Sequence, residues 1–227
     1  MHVSVYLPFL LSALFGALMP ALSRRLPPHH ATWLLSVGAA VLAVTSAGCL
    51  TLLALTAAAR VPPIAAAGDL SIAALTRHDP VHEPIALAAV GAVIVLAAVF
   101  ARALVRRVLA IGQIYRSARE LPGTQLVVVV DTADDAAAVA CAVPGRVGRI
   151  LVSRDLLTGL PPDQRAALLG HEWSHLAHRH YLHQAVVDVA ATLNPFLRSL
   201  PAATRFTTER WADEDAAAAT GDRAVLA

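Results

Sequence analysis

Twenty-nine consecutive residues, Ala31 to Ala59, carry no charge, and no other feature restricts the fold of this chain as strongly. About 20 apolar residues suffice to cross the roughly 30 Å of hydrocarbon in a bilayer, so a run of this length reads as a membrane span. Val3 to Leu22 gives a second uncharged run of 20 residues, and Ile85 to Ala101 a third of 17. The third extends to Val105 if Arg102 snorkels toward the head groups. The composition agrees: 15% of residues are charged and the mean hydropathy is +0.61, against about 25% charged in soluble domains. A disordered tail and a single water-soluble globular domain are both excluded. The expected organisation is a helical membrane region over 1–105, with three transmembrane spans at about 3–22, 31–59 and 85–105. A basic juxtamembrane linker follows at 106–120, and a polar domain over 121–227.

The basic residues, all arginine, fall at the edges of the apolar runs. That is where topology signals belong, and no basic and aromatic cluster suggests direct nucleic-acid binding. Arg24 and Arg25 follow the first run rather than precede it, which argues for a span and against a cleaved signal peptide. With the N-terminus outside, the cytoplasmic flanks hold Arg24, Arg25, Arg102, Arg106, Arg107, Arg116 and Arg119, and the outer loop Arg60 to Glu83 holds Arg60 and Arg77. This imbalance predicts a multi-pass cell-membrane protein with its polar domain in the cytoplasm. Cys49 lies in an apolar run and Cys141 in the polar half, a poor basis for a disulfide or a thiolate metal site.

Within the polar half, Leu126 to Val130, Val139 to Val143 and Arg149 to Val152 are short strand candidates, the last two separated by the turn signal Pro144-Gly145. Pro161-Pro162-Asp163 reads as a helix start, and apolar residues recur at helical spacing from Ala166 to Leu176. The stretch Ala185 to Leu197 has 13 residues, with Asp188 inside and Asn194-Pro195 as a break. That is short for a span, so it is expected as a helix in the polar domain or along the membrane surface, with a re-entrant segment as the alternative.

The helix after Pro161 contains His171-Glu172-Trp173-Ser174-His175, an H-E-x-x-H sequence. Residues four apart share a helix face, so His171 and His175 can offer two imidazole nitrogens to one Zn²⁺. Glu172 falls about 100° around the helix, beside the metal without binding it, where it can act as general base on a water. A catalytic zinc needs a third protein ligand. His178, His180 and His183 lie downstream on the same element and read as interfacial or solvated. Glu209 and Asp213 share a face of a later helix; the first could bind metal and the second accept the free ring N–H of His171. By spacing alone, a solvated acidic face is an equal alternative, because Glu214 and Asp215 are adjacent.

Together these residues resemble the gluzincin membrane zinc metallopeptidases, families forty-eight and fifty-six, which include the HtpX-like and CAAX prenyl proteases and the BlaR/MecR antirepressor sensors. The resemblance covers about Leu121 to Asp222. It rests on Ala142-Val143-Pro144-Gly145, Arg149-Ile150-Leu151-Val152-Ser153, His171-Glu172-Trp173-Ser174-His175-Leu176, Asn194-Pro195, and Glu209 with Asp213. It implies an α+β zincin-like domain with a small sheet and an HExxH helix, holding one Zn²⁺ through His171, His175 and Glu209. Glu172 is then the catalytic residue, Asp213 supports a ligand from behind, and the partners are a protein or peptide substrate and the lipid bilayer. Gluzincins generally add the substrate as a further strand, here expected on Arg149 to Ser153. Tyr181, Arg205 and Arg210 are candidates to stabilise the oxyanion. The three-span layout inclines toward the BlaR/MecR type, which cuts a helix-turn-helix repressor; HtpX-like quality control of membrane proteins is the alternative. A zinc-clamped, non-catalytic receptor is a third reading, disfavoured because structural zinc sites usually close with four protein ligands. Such domains continue beyond Gly221-Asp222, so 121–227 is expected to be incomplete at its C-terminus.

Overall fold

The computed structural model describes residues 6–58, 83–120, 125–131, 139–145 and 148–221. The loop read as external, Arg60 to Glu83, lies outside the described residues apart from Glu83. The chain divides into two compact units, and several helices contribute residues to both.

The first unit comprises Met1–Leu22, Leu34–Val105 and Val186–Pro201. Its helices are α1 (Leu7–Leu22), most of α2 (Pro28–Ala58) and the first part of α3 (Glu83–Glu120). Pro28 opens α2 at a position whose N–H needs no helical partner. Pro28–Leu55 and Leu87–Leu109 are long and apolar enough to cross a membrane; α1, with 16 residues, is shorter and reaches about 24 Å at 1.5 Å per residue. Leu10, Val44 and Ile94 are 64–68% exposed. Such exposure distinguishes these helices from the buried core helices of a soluble fold, which can match them in length and apolarity.

Two expectations change here. The stretch 106–120, read as a linker, continues α3 without a break: it contains no proline, and its Leu, Ala, Gln, Glu and Arg residues favour helix. The stretch after Ala185 does not belong wholly to the polar domain, because Val186–Pro201 clusters with the apolar helices. Its sharp turn, Asn194 followed by a 3₁₀ segment at Pro195–Leu197, is capped by the Asn194 side chain accepting from Phe196 N. The Asn194 amide donates to Ser12 Oγ at 2.8 Å and Ser46 Oγ at 3.0 Å. With its polar atoms matched, an asparagine can sit among apolar helices at little cost. Gly16 leaves room for the turn, since a Cβ there would overlap the Phe196 carbonyl.

The second unit comprises Ser23–Trp33, Arg106–Ala185 and Ala202–Ala227. It holds a three-stranded sheet, β1 (Val127–Val130), β2 (Ala140–Val143) and β3 (Arg149–Ser153), ordered β1-β3-β2. β1 pairs parallel to β3 and β2 antiparallel to it, with Val128 opposite Leu151 and Cys141 opposite Leu151 from the other side. Buried Val128, Ile150 and Val152 anchor the sheet in the core. After α4 (Arg154–Gly159), Pro161 and Pro162 start α5 (Pro162–Ala177), with Asp163 in its first turn matching the helix dipole. α6 (His180–Leu193) and α7 (Leu200–Thr220) complete the described chain.

Candidate metal centre

His171, Glu172 and His175 lie on α5, and Glu209 and Asp213 on α7. Small residues let the two helices meet closely. Ala212 and Ala216 are fully buried, and a Cβ on Gly170 would stand 3.6 Å from Ala216 Cα, in ordinary contact. The approach brings a carboxylate of α7 over the histidine face of α5.

His171 Nε2, His175 Nε2 and a Glu209 carboxylate oxygen converge. The two nitrogens are 3.1 Å apart, and Glu209 Oε2 lies 3.3 Å from His171 Nε2 and 3.5 Å from His175 Nε2. A tetrahedral zinc with ligand bonds of 2.0–2.1 Å separates its ligands by roughly 3.3–3.4 Å. The three separations bracket that edge, and the donor set of two imidazoles and a carboxylate suits zinc, so the residues fit the ion. Among the described residues this is the one group of three histidine, cysteine or acidic side chains so arranged.

The groups strongly polarise one another. A hydrogen bond from His171, then one from His175, holds the Glu209 carboxyl well below the usual carboxylate range, against the opposing effect of burial. Glu209 in turn raises His171 above its ordinary value, with Asp213 adding to the shift and burial opposing it. Behind the nitrogens that converge, His171 Nδ1 lies 2.9 Å from Asp213 Oδ1, the contact expected from the spacing. His175 Nδ1 lies 2.9 Å from Nδ1 of His180.

Glu172, 9% exposed, lines the same cavity as the three converging side chains; the cavity measures about 320 Å³. Ala140, Cys141 and Ala142 of β2 form one wall, and Tyr181 and Gln184 of α6 contribute to another. The expected docking strand is therefore corrected. Arg149 to Ser153 is the central strand, paired on both sides, whereas β2 borders the cavity and among the described residues has one edge that no strand pairs with. Of the oxyanion candidates, Tyr181 lines the cavity and the two arginines do not; Arg210 donates to the Arg24 carbonyl and pairs with Glu214.

The reading of the downstream histidines as interfacial or solvated is corrected for His180 and His183, while His178 is exposed. His180 is 1% exposed and His183 8%. Burial first, then the neighbouring His175 and His178, pushes His180 down to about 3. His178 Nε2 lies 2.9 Å from Asp215 Oδ2, which also accepts from Ser174 Oγ at 2.6 Å. Asp215 thus ties α5 to α7 rather than lying on a solvated face. Its position two residues after Asp213 gave no signal of that contact, which depends on how the helices cross.

The sequence model of peptidase family M48 matches residues 85–223, from the start of α3 through α7. No curated protein and no solved structure matches the chain.

Proposed function

Because the chain belongs to peptidase family M48, we propose that it is a membrane-embedded zinc endopeptidase that hydrolyses peptide bonds of protein substrates at the cytoplasmic face. The observation that carries this reading is the convergence of His171 Nε2, His175 Nε2 and Glu209 Oε2 in a cavity that also exposes Glu172 and an open strand edge.

The three converging atoms would hold the zinc. When bound, the ion polarises the scissile carbonyl and acidifies water. Glu172 takes a proton from the attacking water on its carboxylate and returns it to the leaving amine. Among the described residues no strand pairs with the outer edge of β2, and on that edge an extended peptide would add as a further strand and so align its scissile bond. Tyr181, on the cavity wall, is the residue suited to donate to the developing oxyanion. Asp213 accepts the Nδ1 proton of His171 and so turns Nε2 toward the ion. The count of three protein ligands favours catalysis over a structural clamp, which usually has four.

Membrane embedding is supported by two helices long and apolar enough to span and by their exposed leucines and valines. Between the two biological roles, the family match favours quality control of membrane proteins: it falls in family forty-eight, whereas the repressor-cutting sensors belong to family fifty-six.

The test uses the purified full-length chain in detergent, wild type against Glu172→Gln and His171→Ala. We expect zinc-dependent cleavage of an unfolded protein substrate, stopped by a chelator and restored by zinc. Glu172→Gln should keep its zinc and lose about 10²- to 10⁴-fold in turnover, and His171→Ala should lose both. Undiminished cleavage by Glu172→Gln would refute the assignment. Comparing new protein N-termini in cells expressing wild type or Glu172→Gln then separates the roles, by whether they map to membrane proteins or to a repressor.

A further inference from the structure

The two histidines of the metal centre are supported from behind by different groups. His171 turns Nδ1 to the Asp213 carboxylate, and His175 turns Nδ1 to another imidazole nitrogen, Nδ1 of His180, at 2.9 Å. Two ring nitrogens at that distance share one proton, so one donates and the other accepts. A histidine that binds metal through Nε2 must carry its proton on Nδ1. His175 is therefore the donor, Nδ1 of His180 the acceptor, and the proton of His180 sits on Nε2. With the proton of the pair on the other side, His175 would carry hydrogen on Nε2, in the middle of the ligand set.

We propose that His180 is a positioning residue for the metal centre: its Nδ1 accepts from His175 and holds that ring in the one tautomer and orientation that leave Nε2 free for the ion. The proposal rests on the zinc reading above.

Three further observations support it. His180 is fully buried, with its ring centroid 5.1 Å from that of Trp211 and 5.8 Å from that of His178, so its orientation is fixed by packing. Its Nε2 is buried with no hydrogen-bond partner among the described residues. Buried polar atoms are rarely left unpaired, and simple packing at this position would be better served by a hydrocarbon ring. Finally, the backbone bends to deliver this contact. α5 stops at Ala177, and Arg179 takes a left-handed conformation, φ 51°, uncommon for a residue with a side chain. That turn folds the start of α6 back, so that a side chain five residues after His175 meets its outer nitrogen.

The experiment measures zinc affinity of the full-length chain in detergent by competition with a chromophoric chelator. Three forms are compared: wild type, His180→Phe, which keeps a ring and removes the acceptor, and His180→Asn, whose Oδ1 can stand near the position of Nδ1. We expect His180→Phe to bind zinc 10- to 100-fold more weakly and His180→Asn to return to within a few-fold of wild type. Thermal melts in excess chelator check that each variant is folded, with His180→Leu as the acceptor-free form if phenylalanine is not accommodated. A purely structural role would weaken both replacements alike, and that result overturns the proposal. So does wild-type affinity in the acceptor-free variant. A wild-type chain that takes up no zinc overturns the metal-centre reading as well, which tells the two failures apart.

Discussion

At the scale of single residues, the proposed metal centre would trade protons for metal. In the metal-free site His171 is held above its ordinary value of 6.5 by Glu209, and Glu209 is held below its ordinary 4.5 by His171 and His175. On the zinc reading, the ion would have to displace the proton on His171 Nε2, so its affinity should rise with pH until the raised value of His171 is passed, by about tenfold per unit for one released proton. Competition titrations at several pH values check this, and a flat profile between pH 6 and 7 would contradict it. Stability of the metal-free chain has the opposite sign. A raised histidine contributes fully below 6.5 and loses that contribution as pH climbs through its native value. The depressed carboxyl contributes above 4.5 and is lost only at strong acidity. The pair therefore stabilises the metal-free protein most between about 4.5 and 6.5. Melting temperature in excess chelator should decline above that window, while with zinc present it should not. Asp213→Ala, which removes the acceptor behind His171, should weaken zinc binding by about 10- to 100-fold and leave the converging atoms themselves intact.

At the scale of elements, everything depends on how closely α5 and α7 cross. Gly170 faces Ala216 with room for a methyl group and little more. Gly170→Ala should be tolerated, whereas Gly170→Val should force the helices apart at a cost of about 1–3 kcal/mol and carry Glu209 away from the histidines. The measurement is zinc affinity beside melting temperature; a valine variant with wild-type affinity would show that the crossing does not set the site. Much of this was legible in the sequence. The histidine pair and the Glu209 and Asp213 pair follow from helical spacing, which is local, and the three strands begin and end within a residue of the short strand candidates read from the sequence. What was not legible depends on contacts distant in sequence. Strand order decides that β3 is central and that β2 lies at the edge of the sheet among the described residues, and no periodicity encodes it. The left-handed turn at Arg179 lacks the glycine that would have marked it, so His180 read as one more residue on a wet helix. Asn194 read as a breaker because its partners, Ser12 and Ser46, lie more than 140 residues away.

At the scale of the whole molecule, two helices are long and apolar enough to cross a membrane, and for the proposed membrane protein the arginines and the helix lengths give different weights to the first helix. Seven arginines on one set of flanks against two on the other favour an external N-terminus, which requires α1 to cross. Its 16 residues reach about 24 Å against roughly 30 Å of hydrocarbon. A short span can be accommodated by local thinning of the bilayer or by flanking residues that reach the interface, and Arg24 and Arg25 at its cytoplasmic end are placed to do so. Replacing Cys49 and Cys141 with serine provides a background for single cysteines, labelled in intact cells with a membrane-impermeant maleimide. Ser4→Cys and Ala66→Cys should react from outside, and Thr158→Cys only after the membrane is opened. Labelling at Ala66 and not at Ser4 would mean that α1 stays within one leaflet and the chain crosses twice. Labelling at Thr158 in intact cells would invert the orientation, and with it the compartment in which any substrate of Glu172 must be sought.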